Sequence, residues 1–230
     1  SPYGIVARHG KPSGLQGYYV LHEGIVGRTD GKLTEQKYKD LEKLPVVERE
    51  GAQADVIDAT TDGWIGFTDK YWMTTLIPEQ GQPFTAVTKF VASANIYQTE
   101  ARHPVQTVAP GATITSTTHL FAGAKEWETI RAYESDLNVP GFIDSIDWGW
   151  FFFFTKPIFH VLHWLHGMIG NMGLAIIALT FVLKLLVLPL AYKSYVSMAK
   201  MKELQPELEA LKERAGDDKQ RMQKEMMQLY

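Results

Sequence analysis

The 230-residue sequence contains no cysteine, which excludes a disulfide framework, a thiolate metal site and a cysteine nucleophile. A glycine-rich phosphate loop is also absent. Lysine and arginine number 23 against 26 aspartates and glutamates, and no domain is strongly basic, which argues against nucleic acid as a partner. The chain begins at Ser1 rather than methionine and ends at Tyr230 within a helical pattern. We therefore interpret it as a piece of a longer protein.

Acidic side chains are missing from one long segment, Trp148 to Lys202. Residues 1 to 147 hold 19 acidic and 13 basic side chains, whereas residues 148 to 192 carry only Lys156 and Lys184. A wholly soluble protein rarely has such a segment. The sequence therefore predicts that the chain meets a membrane.

Residues 1 to 147 are predicted to form a β-rich domain, because short runs rich in Thr, Val, Tyr and Ile alternate with turn residues. Their spacing suits a sandwich of antiparallel sheets. Helical spacing indicates two short helices, Thr34–Leu44 and Lys125–Asp136. The predicted strands are Tyr18–Val26, Trp64–Phe67, Tyr71–Ile77, Phe84–Ile96, Val105–Val108 and Ala112–Phe121.

The histidines of this domain lack the spacing of metal ligands, and its acids form no obvious catalytic pair. We therefore expect no metal, no cofactor and no catalysis, and we interpret the domain as a binding or scaffolding unit. The four histidines are His9, His22, His103 and His119.

Residues 148 to 170 are predicted to form an amphipathic helix along the membrane surface. The aromatic run from Trp148 to Phe154 has the composition of a lipid–water interface. Pro157 fits the first turn of a helix. The polar positions His160, His163 and His166 then form one narrow stripe on a wide apolar helix. Three histidines without a fourth ligand are more typical of a wet helix edge than of a zinc site.

Residues 171 to 192 are predicted to span the membrane. Met172–Tyr192 contains a single charge and, at about 1.5 Å per residue, covers roughly 30 Å, one hydrocarbon thickness. Lys193, Lys200 and Lys202 follow before the first acid, Glu203. The positive-inside rule therefore places the C-terminal side in the cytoplasm and the β-rich domain outside, which is the periplasm in a bacterium with two membranes.

Lys184 is the charge within this span. A lysine at that depth costs at least about 2.5 kcal/mol, so it either faces a wet cavity or snorkels to the cytoplasmic surface. Spacing alone leaves both interpretations open. Thr180 lies one turn earlier on the same face, and Pro189 leaves the Leu185 carbonyl without its usual donor, so both support a polar stripe.

Residues 193 to 230 are predicted to form a cytoplasmic helical hairpin that is cut short at Tyr230. Leucines and methionines repeat at helical spacing, Pro206 is expected to kink the first helix, and Ala215 to Asp218 form a break. Two antiparallel amphipathic helices would make a small coiled coil.

Several short motifs, spread over most of the sequence, together point to one protein family. Ser197–Met201 (SMAKM) precedes Leu204-Gln205-Pro206 and Gly216–Arg221 (GDDKQR), while Gly170-Asn171-x-Gly173 precedes the span. In the first domain, Gly63–Gly66 (GWIG) and Phe121–Lys125 (FAGAK) stand out. With these motifs the chain resembles the YidC membrane protein insertases, bacterial members of the YidC/Oxa/Alb family.

The resemblance implies a periplasmic β-supersandwich, followed by the first of five core membrane helices and part of a cytoplasmic hairpin. It further implies an inner-membrane insertase and folding chaperone without enzymatic activity. Such a protein receives nascent membrane proteins in a hydrophilic groove, alone or beside the Sec translocon, with ribosome and lipids as further partners. The family usually has arginine where this chain has Lys184. An amino-terminal anchor helix and four later core helices would lie outside the chain. We assign cytoplasmic contacts to Lys200, Lys202, Lys219 and Arg221.

Two other classes of protein fit the residues. One is a single-span receptor with a periplasmic sensing domain and a cytoplasmic coiled coil. The other is a membrane-anchored sugar-binding or sugar-converting β-sandwich, which would need an acid, a histidine and an aromatic cleft brought together in residues 1 to 147.

Overall fold

The computed structural model describes residues 1–15 and 21–215. They divide into two compact units, Ser1–Phe152 and the residues from Phe153 onward. The first unit is built mainly from β-strands and the second from helices. This confirms the predicted fold class, a mainly β domain followed by α-helices.

In the described part of the first unit, ten antiparallel strands form two five-stranded sheets. The first sheet has the order β1-β9-β8-β5-β4 and the second β10-β7-β6-β2-β3. The strands are β1 Tyr3–His9, β2 Gly24–Thr29, β3 Lys32–Lys37, β4 Val46–Val47, β5 Ala52–Ala59, β6 Gly63–Thr68, β7 Trp72–Pro78, β8 Phe84–Val91, β9 Ile96–Arg102 and β10 Thr118–Ala124. The helices of this unit are α1 Tyr38–Leu41 and α2 Trp127–Asp136, with 3-10 turns at Glu48–Glu50, Ala92–Ala94 and Phe142–Ser145.

Strand alternation gives the domain two apolar layers. Ile65 and Phe67 of β6 join a buried cluster with Tyr97 of β9 and so lie between the sheets. The intervening Trp64 points to the opposite face, where it packs with Ile130 of α2 and with Phe142. The rings of Trp64 and Phe142 meet edge to face, with centroids 5.5 Å apart. The helix α2 and the 142–145 turn therefore cover the outer face of the second sheet.

The predicted helix Thr34–Leu44 is wrong over most of its length. Lys32–Lys37 is strand β3, which pairs with β2, and only Tyr38–Leu41 is helical. The Asp30-Gly31 turn between the two strands has positive φ at both residues, 47° and 86°, which matches the right-handed twist of a two-residue hairpin. This turn, rather than the helical spacing, decides the local structure.

Strand boundaries also differ from the prediction. Phe84–Ile96 divides into β8 and β9 at the Ala92–Ala94 turn, where Asn95 has φ 53°. Residues 105 to 108 are not a strand, and Ala112–Phe121 becomes extended only from Thr118, because prolines and glycine interrupt ladder pairing in this stretch. The strand predicted to begin at Tyr18 begins at Gly24, and residues 18–20 lie outside the described part. The predicted helix Lys125–Asp136 and the strand Trp64–Phe67 are confirmed with small shifts.

The second unit contains α3, Phe152–Ile169, and the 44-residue α4, Met172–Ala215. Because α3 begins at Phe152, Pro157 is not in its first turn as predicted. Gly170, with φ 71°, and Asn171 separate the helices, and the Asn171 side chain accepts the Leu174 N–H at 3.1 Å. The helix α4 continues without interruption past Tyr192 and through Pro206. The second helix of the predicted hairpin lies outside the described residues.

Candidate functional site

One segment of α4, Met172–Lys202, is long and apolar enough to cross a membrane. Most of its side chains are exposed in the described part of the chain, unlike those of a core helix in a soluble protein. Lys184 lies near its middle and is itself exposed. Leu185 and Leu186 next to it are exposed as well. Residues 172–192 of this segment therefore carry one charge, Lys184, on an apolar surface that suits lipid.

The two residues predicted to support Lys184 lie near it along the helix. Thr180 is one turn earlier, and its hydroxyl donates to the Ile176 carbonyl at 2.9 Å. The Thr180 hydroxyl hydrogen is thus used within the helix, and its oxygen is left to accept. Pro189 is inside α4 and supplies no N–H, so it cannot donate to the Leu185 carbonyl. A threonine oxygen and a carbonyl are therefore available as acceptors within about one turn of the lysine.

The histidine stripe of α3 is less uniform than predicted. His160 is exposed, and its Nδ1 lies 2.7 Å from the Lys156 carbonyl oxygen. His163 and His166 are half-buried, whereas the apolar Trp164 and Met168 are exposed. The exposed side of α3 is thus largely apolar, as an interfacial helix requires. Among residues 1–15 and 21–215, no group of three or more histidines or acids could hold a metal ion.

Of the four predicted cytoplasmic contact residues, two can be located. Lys200 and Lys202 are exposed near the end of the apolar segment of α4. Lys219 and Arg221 lie outside the described residues.

Several motif residues of the first domain have structural roles. A Cβ at Gly66 would lie 2.0 Å from the Thr74 carbonyl oxygen of β7, so only glycine lets the two strands pair there. Lys125 donates its backbone N–H to Tyr71 at 2.8 Å and its ammonium to the Thr68 hydroxyl at 3.0 Å. Burial lowers the pKa of Lys125. This lysine therefore fastens the end of β10 to the β6–β7 turn.

Sequence reasoning missed an ionic network on the first sheet. Arg102 donates two hydrogen bonds to Glu50, at 2.6 and 2.5 Å, and a third to Glu100 at 2.6 Å. Lys89 pairs with both carboxylates. The two glutamate side chains are only 3% exposed. The Arg102 hydrogen bonds lower the pKa of Glu50 to about 2. The sequence does show Glu100 and Arg102 alternating on β9. It does not show that the Glu48–Glu50 turn brings Glu50 next to them.

A second missed cluster lies in a cleft at the open side of the sandwich. Arg8 donates to the Tyr38 hydroxyl at 3.0 Å and to Asp69 at 3.4 Å. Its guanidinium lies 5.3 Å from the centre of the Tyr38 ring. Burial raises the pKa of Tyr38 to about 12. Trp72 also lines this cleft. An acid and an aromatic residue therefore meet here. Among the described residues that line the cleft there is no histidine, so the acid, histidine and aromatic set that a sugar-converting site would need is incomplete.

Comparison with known proteins identifies the family. The model of the YidC periplasmic domain matches residues 1–161, and that of the 60Kd inner membrane protein matches residues 164–230. The chain belongs to the YidC family. Proteins named "Membrane protein insertase YidC" from Cereibacter sphaeroides, Paracoccus denitrificans and Dinoroseobacter shibae are 73%, 67% and 64% identical to it. Each alignment covers 100% of this chain but only 36% to 38% of the relative.

Family membership confirms the resemblance inferred from the motifs. It also agrees with the architecture, since the periplasmic-domain match covers the two sheets and the inner-membrane match covers α4. The YidC-family chain is therefore an inner-membrane protein with a periplasmic β domain, as the charge distribution and the resemblance together predicted.

Proposed function

We propose that the full-length protein inserts nascent proteins into the bacterial inner membrane and assists their folding. The relatives that bear the insertase name support this activity. The observation that carries the proposal within the chain itself is Lys184, a single cation in the middle of an exposed, acid-free membrane-spanning segment. A charge at that depth is costly, and it is retained where it faces a wet cavity or a partner.

The mechanism follows from the position of this charge. In a hydrophilic groove, Lys184 would attract acidic residues in a short extramembrane segment of the substrate. The same attraction lowers the cost of moving that polar segment partway across the membrane. The substrate's apolar helix then leaves sideways into lipid, and its partitioning supplies the free energy. No covalent bond changes, so the role is that of an insertase and chaperone rather than an enzyme.

The proposed topology divides the chain into four parts. Residues 1–147 form the periplasmic domain, 148–170 an interfacial helix, 171–192 the span and 193–230 the start of a cytoplasmic hairpin. Two observations support it: the cations Lys193, Lys200 and Lys202 follow the span, and the exposed side of α3 is apolar.

The proposed partners follow from the same topology. Nascent chains, the ribosome and lipid would meet the cytoplasmic lysines and arginines, and the Sec translocon would act beside the groove for some substrates. Lys200 and Lys202 are exposed in α4 and available for such contacts. We propose neither a cofactor nor a metal.

Substitution of Lys184 in the full-length protein tests the groove charge. Lys184→Arg should keep insertion, because it retains the charge and adds hydrogen-bond donors. Lys184→Glu should fail, because it repels acidic segments. For a substrate with an acidic tail, Lys184→Ala should reduce insertion about tenfold, the loss of roughly 1.4 kcal/mol of attraction. Protease protection of the inserted tail measures this.

The control uses one substrate with its tail acids intact or neutralised, and Lys193→Ala as a matched variant at the end of the span. Neutral tails and Lys193→Ala should show little change. A snorkelling lysine behaves differently, because its removal only eases insertion of the span. Equal insertion of both tails in Lys184→Ala and the parent would therefore refute the groove charge.

A further inference from the structure

The cleft of the β domain lies between β1 of the first sheet and the turn that joins β6 to β7 of the second. Its volume is about 140 Å³, well below the roughly 300–1,000 Å³ of drug-sized sites. It can therefore take one small ring rather than a folded partner. Its walls include Val6, Arg8, Phe67, Asp69, Trp72 and Thr74.

The polar end of the cleft carries no net charge. Arg8 and Asp69 form a single contact at 3.4 Å, not a two-pronged pair, and their side chains are 28% and 38% exposed. Arg8 also donates to the Gly10 carbonyl and the Tyr38 hydroxyl, and Asp69 also accepts from Tyr38, but a guanidinium has five donors and each carboxylate oxygen can accept more than one bond. This pair can therefore still donate to and accept from one ligand. Because the charges cancel, the pair favours neither an anion nor a cation.

The apolar side of the cleft is formed by Trp72, an aromatic residue that is largely exposed to solvent. Trp72 closes the tight turn after β6, where its carbonyl accepts the Asp69 N–H at 2.8 Å, and 64% of its surface is exposed. A large aromatic side chain left in water beside a polar pocket is a common anchor for a ligand with one apolar face. The neighbouring Tyr71 is equally exposed but lies outside the cleft, under the Lys70 ammonium.

We propose that this cleft binds one ring of a neutral carbohydrate. The C–H face of a pyranose would stack on Trp72, while adjacent hydroxyls would donate to Asp69 and accept from Arg8. A neutral ring with hydrogen-bond donors and acceptors on its edge can bond to both members of the Arg8–Asp69 ion pair while its apolar face packs on Trp72. This binding is separate from membrane insertion, because the cleft and Lys184 belong to different compact units.

The test uses the full chain in nanodiscs made without glycolipid or sugar-based detergent. Maltose, lactose, cellobiose and chitobiose are titrated by ligand-observed NMR. At least one should bind saturably, with constants above about 20 mM counted as no binding. Trp72→Ala should weaken that sugar at least about tenfold. Trp72→Phe should restore part of the affinity, and Tyr71→Ala, the matched control, should leave it unchanged.

The charge argument has its own test. Asp69→Asn leaves Arg8 without its counterion, so the variant should lose affinity for the neutral sugar and gain affinity for glucuronic acid. Three results would overturn the proposal: no sugar binds the parent chain, Trp72→Ala binds as well as the parent, or the cleft takes extended peptides in preference to every sugar.

Discussion

At the scale of single residues, the protein holds a charge that is paired within the fold and a charge that is not. Glu50 is buried in the β domain and is compensated by Arg102 and Lys89. Lys184 lies in the spanning segment, and within the described residues no carboxylate is close enough to form an ion pair with it. The compensated charge of Glu50 stabilises the fold through its ion pairs. The uncompensated one is available to a partner.

The Glu50 network should make the β domain sensitive to acid. The pKa of Glu50 falls from 4.5 to about 2 on folding, so its stabilisation is complete above pH 4.5 and is lost as the pH falls toward 2. Glu50→Gln should lower the free energy of unfolding at neutral pH by about 3 kcal/mol and flatten its slope in that pH range. Urea unfolding, followed by the fluorescence of the buried Trp64, measures both.

Glu48→Gln is the matched control, because Glu48 is an exposed carboxylate in the same turn as Glu50. It should change the free energy of unfolding by less than about 0.5 kcal/mol. If the two variants unfold alike at every pH, the network contributes nothing specific to stability.

The residues differ in how readily the sequence reveals them. Lys184 could be found because it stands alone in an acid-free run, which is a local property. Arg8 and Asp69 could not, because 61 positions separate them and only the packing of one sheet on the other joins them. Glu50 and Arg102 are 52 positions apart and are hidden for the same reason.

At the scale of elements, uninterrupted apolar composition was a reliable guide and short periodic patterns were not. The membrane-spanning segment of α4 follows from apolar content over more than 18 residues, which tertiary contacts rarely override. Thr34–Leu44 failed because 11 residues give few repeats, and the Asp30-Gly31 turn fixed β3 beside β2. Pro157 was misplaced because the aromatic residues before it, from Phe152 onward, already form the first turn of α3.

The cytoplasmic helical segment should be needed for engagement of nascent chains. Deletion of residues 204–229 from the full-length protein removes most of the proposed hairpin and leaves the apolar part of α4 intact. Cross-linking to ribosome-bound nascent chains should fall, and in the parent it should weaken as ionic strength rises past about 0.15 M, because surface charges are then screened.

A variant that deletes the same residues but carries a neutral helical linker of equal length serves as the control for length. It should remain defective, since it lacks the charged side chains. Normal growth together with normal cross-linking in the deletion variant would count against a role for this segment.

At the scale of the whole molecule, the chain consists of two units, one with the surface of a water-soluble domain and one with a surface that suits lipid. The first buries its apolar residues between and behind two sheets, whereas the second exposes them along two helices. The chain spans 36% to 38% of the length of these relatives, and the proposed groove is a property of the full-length protein. The composition break near Trp148 revealed this division without any knowledge of the fold.

The β domain should be dispensable for insertion itself. Lys184 and the spanning segment lie in the unit that begins at Phe153, so removing most of residues 1–130 from the full-length protein should leave substrate insertion within about twofold of the parent. Protease protection of a standard substrate measures the outcome. Loss of insertion by a stably expressed deletion product would contradict the prediction.

The continuity of α4 has a mechanical consequence. Its 44 residues extend about 66 Å, more than twice the roughly 30 Å hydrocarbon layer. In a helix of that length, a tilt of the protruding arm is transmitted to the arm in the lipid unless the helix bends between them. Missing hydrogen bonds concentrate bending at prolines, and Pro189 lies between Lys184 and the protruding arm. A pull on the protruding arm would therefore bend α4 at a proline five residues from Lys184.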